Sequence, residues 1–326
     1  MHVPEKIFNL DKTDKKIIAA LETDSRMPAK AIAKKAGVNE HVAAYRIQRL
    51  FQEGIIKKIY CIVNRGALFP VGYRAFLRFQ NLSAEKENLL AKRAIECKFS
   101  NWVVSCRGRW DMIITIFAND PHHFMALFGE IISGFEDFIQ EKEIVSYLEM
   151  IDFNRTHIYG GEPKEMLEYD GKFRKKQIDE TDQKILEQLS TNSRLTMIEM
   201  GKKFGVSPDT IRNRIKKLEE EKLILGHGVL FNLKKIGLGY YNVILNLKNI
   251  SKAREKALHD FALQHPNIIF WIKMIGAYDL VLEIEIQDTN LDKLVTELRN
   301  KFGDIIKNIE ILTVKEEFKY TYLTQG

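Results

Sequence analysis

The chain has 326 residues, 45% hydrophobic and 29% charged, with a formal net charge of +6, seven prolines and three cysteines. This apolar content can fill several separate cores, which excludes a disordered chain, and no apolar run approaches the ~18 residues that a membrane helix needs. The modest charge excludes bulk attraction to nucleic acid, so such affinity would have to come from local clusters of Lys and Arg.

Residues 1–10 carry charges and a proline without an apolar block, which points to neither export nor anchoring and leaves the cytoplasm as the expected location. Cys61, Cys97 and Cys106 match no zinc spacing and read as thiols of a reducing compartment; no metal, cofactor or catalytic residue is expected. Asp11 with Asp14 starts a first helix whose apolar face is Ile17, Ile18 and Leu21. Pro28 starts a second, Gly37 turns the chain, and Asn39 caps a third that buries Ala43, Ile47 and Leu50 and turns His41, Ala44, Tyr45, Gln48 and Arg49 outward. Residues 55–63 read as a strand, with Lys57 and Lys58 placed like the wing of a winged helix.

After Pro70 the pattern changes to two-residue alternation. A strand through Tyr73–Phe79, a helix over 83–95, strands over 102–106 and 110–117, a helix over 121–132 and a strand over 139–148 give βαββαβ, the ferredoxin-like arrangement. His122 and His123 open the second of these helices and read as exposed polar residues, since no ligand cluster accompanies them. Hydrophobic spacing lapses over 154–176, which reads as a linker.

The scheme then repeats. A shift of 168 positions lays Asp11, Thr13, Asp14, Ile17, Leu21, Ser25, Arg26, Gly37, Val38, Arg46, Ile47 and Leu50 on identical residues, ending with Arg214, Ile215 and Leu218. Gly108 and Asp111 fall on Gly276 and Asp279. The fold class expected is therefore α+β, with a winged helix-turn-helix at 8–63, a ferredoxin-like domain at 70–153, a second winged helix at 177–231 and a second ferredoxin-like domain at 238–324. In the second headpiece, Thr196 and Glu199 form a capping box, Gly205 turns, and Ser207-Pro208 starts a helix with Ile211, Ile215 and Leu218 inward. A capped basic helix after a Gly turn is the recognition helix of a helix-turn-helix. Its DNA-contacting set is Thr210, Arg212, Asn213, Arg214, Lys216 and Lys217, against the less cationic His41, Tyr45, Arg46 and Arg49 of the first, so the second is expected to dominate affinity. An ion pair with Asp14 or Asp182 competes with phosphate for Arg46 and Arg214, and Glu220 and Glu221 compete for Lys216 and Lys217.

The openings Leu10-Asp11-Lys12-Thr13-Asp14 and Ile178-Asp179-Glu180-Thr181-Asp182, the Ser-Arg pairs 25/26 and 193/194, and the signatures Gly108-Arg109-Trp110-Asp111 and Gly276-Ala277-Tyr278-Asp279 resemble the Lrp/AsnC regulators of prokaryotic transcription. The resemblance implies double-stranded DNA as partner, ferredoxin-like domains that pair as an internal pseudo-dimer or a homo-oligomer, and an amino-acid effector near the signatures. The residues carried over for that effector are Gly108, Arg109, Asp111, Gly276 and Asp279. Three departures stand out: Arg107 and Ile275 precede the signature glycines in place of a hydroxyl residue, Lys222 replaces the Gly that ends the recognition helix, and the module occurs twice. Siroheme decarboxylases resemble the same family. They carry a His and a Tyr-Asn pair at the signature, where this chain has Asp111 and Asp279 and no His.

Overall fold

The computed structural model describes residues 7–69, 71–169, 176–321 and 323. The first headpiece consists of α1 (Lys12–Thr23), α2 (Ala29–Ala36) and α3 (Glu40–Gln52), followed by β1 (Ile56–Val63). Asp11 caps α1 by accepting from the backbone N–H of Thr13 and Asp14, and the Asp14 carboxylate returns to the Asp11 N–H. Gly37 turns between α2 and α3 at φ 73°, in the left-handed region that a Cβ disfavours. The second headpiece repeats this with α7 (Glu180–Thr191), α8 (Met197–Phe204), Gly205 at φ 69°, α9 (Pro208–Glu220) and β7 (Ile224–Phe231).

Each headpiece contributes one strand, and the two strands pair with each other: β1 runs antiparallel to β7, with Tyr60 opposite Gly228. The strands are exchanged. Tyr60, Ile62 and Leu68 pack among Ile185, Leu189 and Leu218 of the second headpiece, while Val229 and Phe231 pack among Ile17, Leu21 and Leu50 of the first. A hairpin wing in each headpiece is therefore not what forms, because the edge each strand would offer to a local partner is taken by the other copy.

The first ferredoxin-like unit is β2 (Val71–Phe79), α4 (Ala84–Glu96), β3 (Ser100–Arg107), β4 (Met112–Ala118), α5 (Pro121–Ile132) and β5 (Ile139–Phe153). After α6 (Thr156–Tyr159) and β6 (Glu165–Tyr169) come the second headpiece and the second unit. That unit is β8 (Gly239–Leu247), α10 (Lys252–Gln264), β9 (Ile268–Ile275), β10 (Leu280–Ile286), α11 (Asp288–Phe302) and β11 (Ile306–Tyr320). The two sheets join at both edges: β11 pairs with β3, β5 pairs with β9, and β2 pairs with β5, so eight strands close on themselves and β6 adds to β5. The faces not covered by helices meet inside, where Phe76, Trp110 and Ile113 of one unit pack with Ile244, Ile272 and Tyr278 of the other. Closure removes the exposed edges and the open apolar face together.

Two expectations change. The last strand of each unit runs several residues past the pattern read from the sequence, because residues 146–152 pair with β9 and residues 313–320 with β3 of the other unit. The stretch read as a linker is packed over much of its described length: Arg155, Thr156 and Ile158 are buried, and α6 sits against α1.

Candidate nucleic-acid interface

The second helix-turn-helix is built as its residues dictate. Ser207 Oγ accepts from the Thr210 N–H at 3.0 Å, Pro208 occupies the first helical position, and Ile211, Ile215 and Leu218 are buried. This turns Arg212, Asn213, Lys216 and Lys217 to solvent. Arg212 is paired with Asp209, Lys216 with Glu220 at 3.7 Å and Lys217 with Glu221 at 3.8 Å; all are exposed pairs of the kind worth at most about 1 kcal/mol. The Asn213 amide has no hydrogen-bond partner among the described residues and is exposed. Thr210 is half-buried, with its hydroxyl 2.8 Å from Ser207 Oγ.

Arg214 and Arg46 are engaged by carboxylates of their own headpieces. Arg214 Nη1 donates to Asp179 at 2.6 Å and to Asp182 at 2.8 Å, and Arg46 binds Asp11 at 2.5 Å and Asp14 at 2.9 Å. The Arg46 bond holds the Asp11 carboxyl below its ordinary range, as the Asp182 backbone N–H and then the Arg214 bond do for Asp179, and the two arginines clamp each recognition helix to the first helix of its headpiece. Arg49 joins them, donating to Asp14 at 2.7 Å. Lys57 and Lys58 form no wing. Lys58 is half-buried, donates to the Tyr320 carbonyl and has its pKa lowered by burial, whereas Lys57 is exposed beside Glu317. Of the first headpiece's set, His41 and Tyr45 stand exposed on α3.

The Ser-Arg pairs join the two headpieces. Ser25 Oγ lies 2.9 Å from Ser193 Oγ; Arg26 donates to the Ser193 carbonyl at 2.6 Å and Arg194 to the Ser25 carbonyl at 2.9 Å. With the β1–β7 ladder, these reciprocal bonds fix one recognition helix relative to the other. Their recurrence at the same offset was the available signal, but nothing local in the sequence shows what they bind.

At the signatures, Asp111 accepts from the Phe79 N–H at 2.8 Å and Asp279 from the Leu247 N–H at 2.7 Å, so each carboxylate ties its loop to the neighbouring strand. Gly108 (φ 141°) and Gly276 (φ 138°) answer a close approach of the chain itself. A Cβ on Gly108 would meet the Ile311 carbonyl at 2.8 Å, and one on Gly276 would meet Val145 at 2.9 Å. Those neighbours lie in the other unit, so the loops sit at the two joints. Arg109 is offset by Glu310 at 3.0 Å and Glu141 at 3.5 Å, while Trp110 donates its indole N–H to Tyr278 across the interior at 2.8 Å.

The profile of the AsnC-type helix-turn-helix domain matches residues 10–50 and 178–219. A proline dehydrogenase transcriptional activator of Rhizobium radiobacter is 29% identical over 147 residues, which are 44% of this chain and 93% of that protein. The HTH-type transcriptional regulator FL11 of Pyrococcus furiosus is 32% identical over 127 residues, 37% of this chain and 82% of that protein. These relatives therefore match about one of the two modules. A crystal structure of the siroheme decarboxylase NirDL shares the fold along the whole length, with a TM-score of 0.62, 12% identity and coverage of 96% of this chain and 94% of that one. Among the described residues no helix is long and apolar enough to cross a membrane. The repeated domain and the regulators that match it place the chain in the Lrp/AsnC family of transcriptional regulators, with the family's module present twice.

Proposed function

We propose that this protein binds duplex DNA in a sequence-specific manner, without enzymatic activity, and that one chain takes the part of a regulator dimer. The observation that carries this reading is the outward face of α9, where Arg212, Asn213, Lys216 and Lys217 stand exposed on a helix locked in place by Ser207, Ile211, Ile215 and Arg214. Arginine and asparagine can each donate two bonds to a purine edge in the major groove. Replacing both Arg212 and Asn213 by Ala should cost about 1–3 kcal/mol of discrimination for each base edge that goes unread, with little change in binding to unrelated duplex. Fluorescence anisotropy against fragments of the native promoter region at two salt concentrations measures both. Absence of binding by the unmodified chain would sink the proposal.

The decarboxylase fold likeness favours a second reading, tetrapyrrole chemistry between the sheets. Against it, the space between the sheets beside Arg74, Trp102, Tyr147 and Glu283 is only about 20 Å³, enough for one water; clefts of about 540 and 580 Å³ lie elsewhere, beside Phe69 and beside Lys58. The signature loops carry Asp111 and Asp279 and no His. A shifted Soret band on titration with an iron tetrapyrrole would favour the enzyme.

An amino-acid effector at Gly108, Arg109, Asp111, Gly276 and Asp279 has less support than a turn-holding role, because both carboxylates already bind backbone and both glycines are packed against the other unit. Thermal-shift screening of amino acids at millimolar concentration should leave melting unchanged. A stabilisation that Asp111→Ala or Asp279→Ala abolishes would reinstate the site.

A further inference from the structure

Resting on the DNA-binding reading above, we infer that the two headpieces divide the work. The first grips phosphate without regard to sequence and the second reads bases, so the target is a non-palindromic duplex with one specified half-site.

The charge is distributed against the simple expectation that the more basic recognition helix supplies the affinity. Residues 10–55 contain nine Lys and Arg against six Asp and Glu, while the equivalent residues 178–223 contain nine against nine. The side chains sharpen the contrast. In the first headpiece Lys12, Lys15, Lys16, Lys30, Lys34 and Lys35 are all exposed, and none forms an ion pair among the described residues. In the second, Lys184 pairs with Glu180, Lys216 with Glu220, Lys217 with Glu221 and Arg212 with Asp209, and Lys203 donates to Gln188, which leaves Lys202 and Lys222 as its exposed lysines without such a partner among the described residues. Such exposed pairs are weak and a phosphate can displace them, but the displaced carboxylates stay beside the anion and cancel much of the gain.

Position matters as much as charge. Lys30, Lys34 and Lys35 lie on α2, the helix that crosses the backbone in a helix-turn-helix; in the second headpiece Lys202 and Lys203 match Lys34 and Lys35, but Lys30 is replaced by Ile198, 58% exposed. The recognition helices have the opposite bias. On α3 the cations Arg46 and Arg49 are engaged by Asp11 and Asp14, leaving His41, Ala44, Tyr45 and Gln48 outward. On α9 Arg212 and Asn213 remain available to base edges. Phosphate contacts position a protein on the duplex and base contacts specify the sequence, and here the larger set of unpaired lysines and the pair Arg212 and Asn213 sit on different headpieces. The headpieces cannot exchange roles or turn independently, since the β1–β7 ladder and the Arg26 and Arg194 bonds hold them as one body.

The test uses the full-length chain and sequences selected from a randomised duplex pool. Hydroxyl-radical footprints should protect two segments, while the selected sequences should be constrained in only one. The variant Lys30→Gln, Lys34→Gln, Lys35→Gln should lose affinity for selected and scrambled duplex by the same factor, on the order of tenfold or more, and flatten the log K against log salt slope by about 0.9 per lysine. Replacing Arg212 and Asn213 by Ala should leave that slope within about one unit and reduce the preference for selected over scrambled duplex roughly 5- to 100-fold. Thermal melting of both variants should match the parent, as the altered side chains are exposed. A selected sequence with two equally constrained half-sites, or an equal loss of discrimination from the lysine variant, overturns the division of labour while leaving DNA binding intact. Failure of the parent chain to bind any duplex removes the underlying reading as well.

Discussion

Replacing Arg155 by Met should lower the free energy of unfolding by about 3–5 kcal/mol at pH 8, the cost of leaving buried carboxylates without their cation. Arg155 lies in the stretch the sequence presents as a linker, yet its guanidinium is 3.1 Å from Glu285 of the second unit and 3.4 Å from Glu22 of the first headpiece. His157 also contacts Glu285 at 3.0 Å, and Tyr159 donates to Glu22 at 3.2 Å. Three parts of the chain thus meet on one side chain. The matching position in the second half is Leu323, half-buried against the second headpiece, and its change to Ala should cost about 1 kcal/mol. Urea unfolding of the two variants measures the difference.

The pH dependence of the Arg155 change has a definite sign. Burial raises the carboxyl of Glu22 and pushes that of Asp152 up to about 7, and the Asp152 Oδ1 has no hydrogen-bond partner among the described residues. A folded pKa above the unfolded value means that the folded state binds the extra proton; the stability these groups supply is full at low pH and is lost as pH rises, for Asp152 through about 7. Glu285 works the other way, lowered by Arg155 and His157 against its own burial, and its contribution is lost as pH falls. Without Arg155 the carboxylates gain more from protonation, so the deficit should be smaller at pH 5 than at pH 8. A deficit that does not change with pH would show that packing by the side chain, not its charge, holds this joint.

How far the fold can be read depends on whether the partner of each residue is local. Capping by Asp11, Asn39, Thr196 and Ser207, the turns at Gly37 and Gly205 and the alternation of the strands act within a few residues, and these features stand in the sequence in plain form. The exchanged strands, the packing of α6 and the buried ion network depend on residues far along the chain. Arg74 illustrates why: in a strand beside Tyr73 and Ala75 it reads as a solvent position, yet it is 3% exposed and donates to Tyr147, to Asn242 and, at 2.8 Å, to Glu283. Glu283 and Glu285 alternate with Leu282, Ile284 and Ile286 and carry the same false signal. A sheet covered on both faces breaks the rule that alternate charged residues face water. At the interface, the exposed set on α9 and the competition of Asp14 and Asp182 for Arg46 and Arg214 were legible from helical spacing, whereas the loss of Lys58 to the distant Tyr320 carbonyl was not.

Cutting the chain within residues 170–175, by a protease site inserted there, should leave the two halves bound with a Kd below about 1 nM, since their contact resembles an obligate interface. The apolar interior between the sheets draws on both halves: Trp102, Val104 and Trp110 before the cut, Ile269, Phe270 and Leu312 after it. Both edge ladders cross the cut, β3 with β11 and β5 with β9, as does the β1–β7 pair whose strands each complete the other headpiece's core. Separation would expose all of these surfaces at once, and no half has a second way to cover them except by pairing with its own kind. The cleaved protein should therefore elute at the mass of the intact chain in light scattering and unfold in one transition at the parent's urea slope, with a midpoint that rises with protein concentration. On the division of work inferred above, covalent continuity would serve to pair unlike halves, because two identical first modules would present two phosphate-gripping headpieces and no reader. Halves that part on gel filtration at micromolar concentration, or two resolved unfolding transitions, would show that the modules fold and act separately.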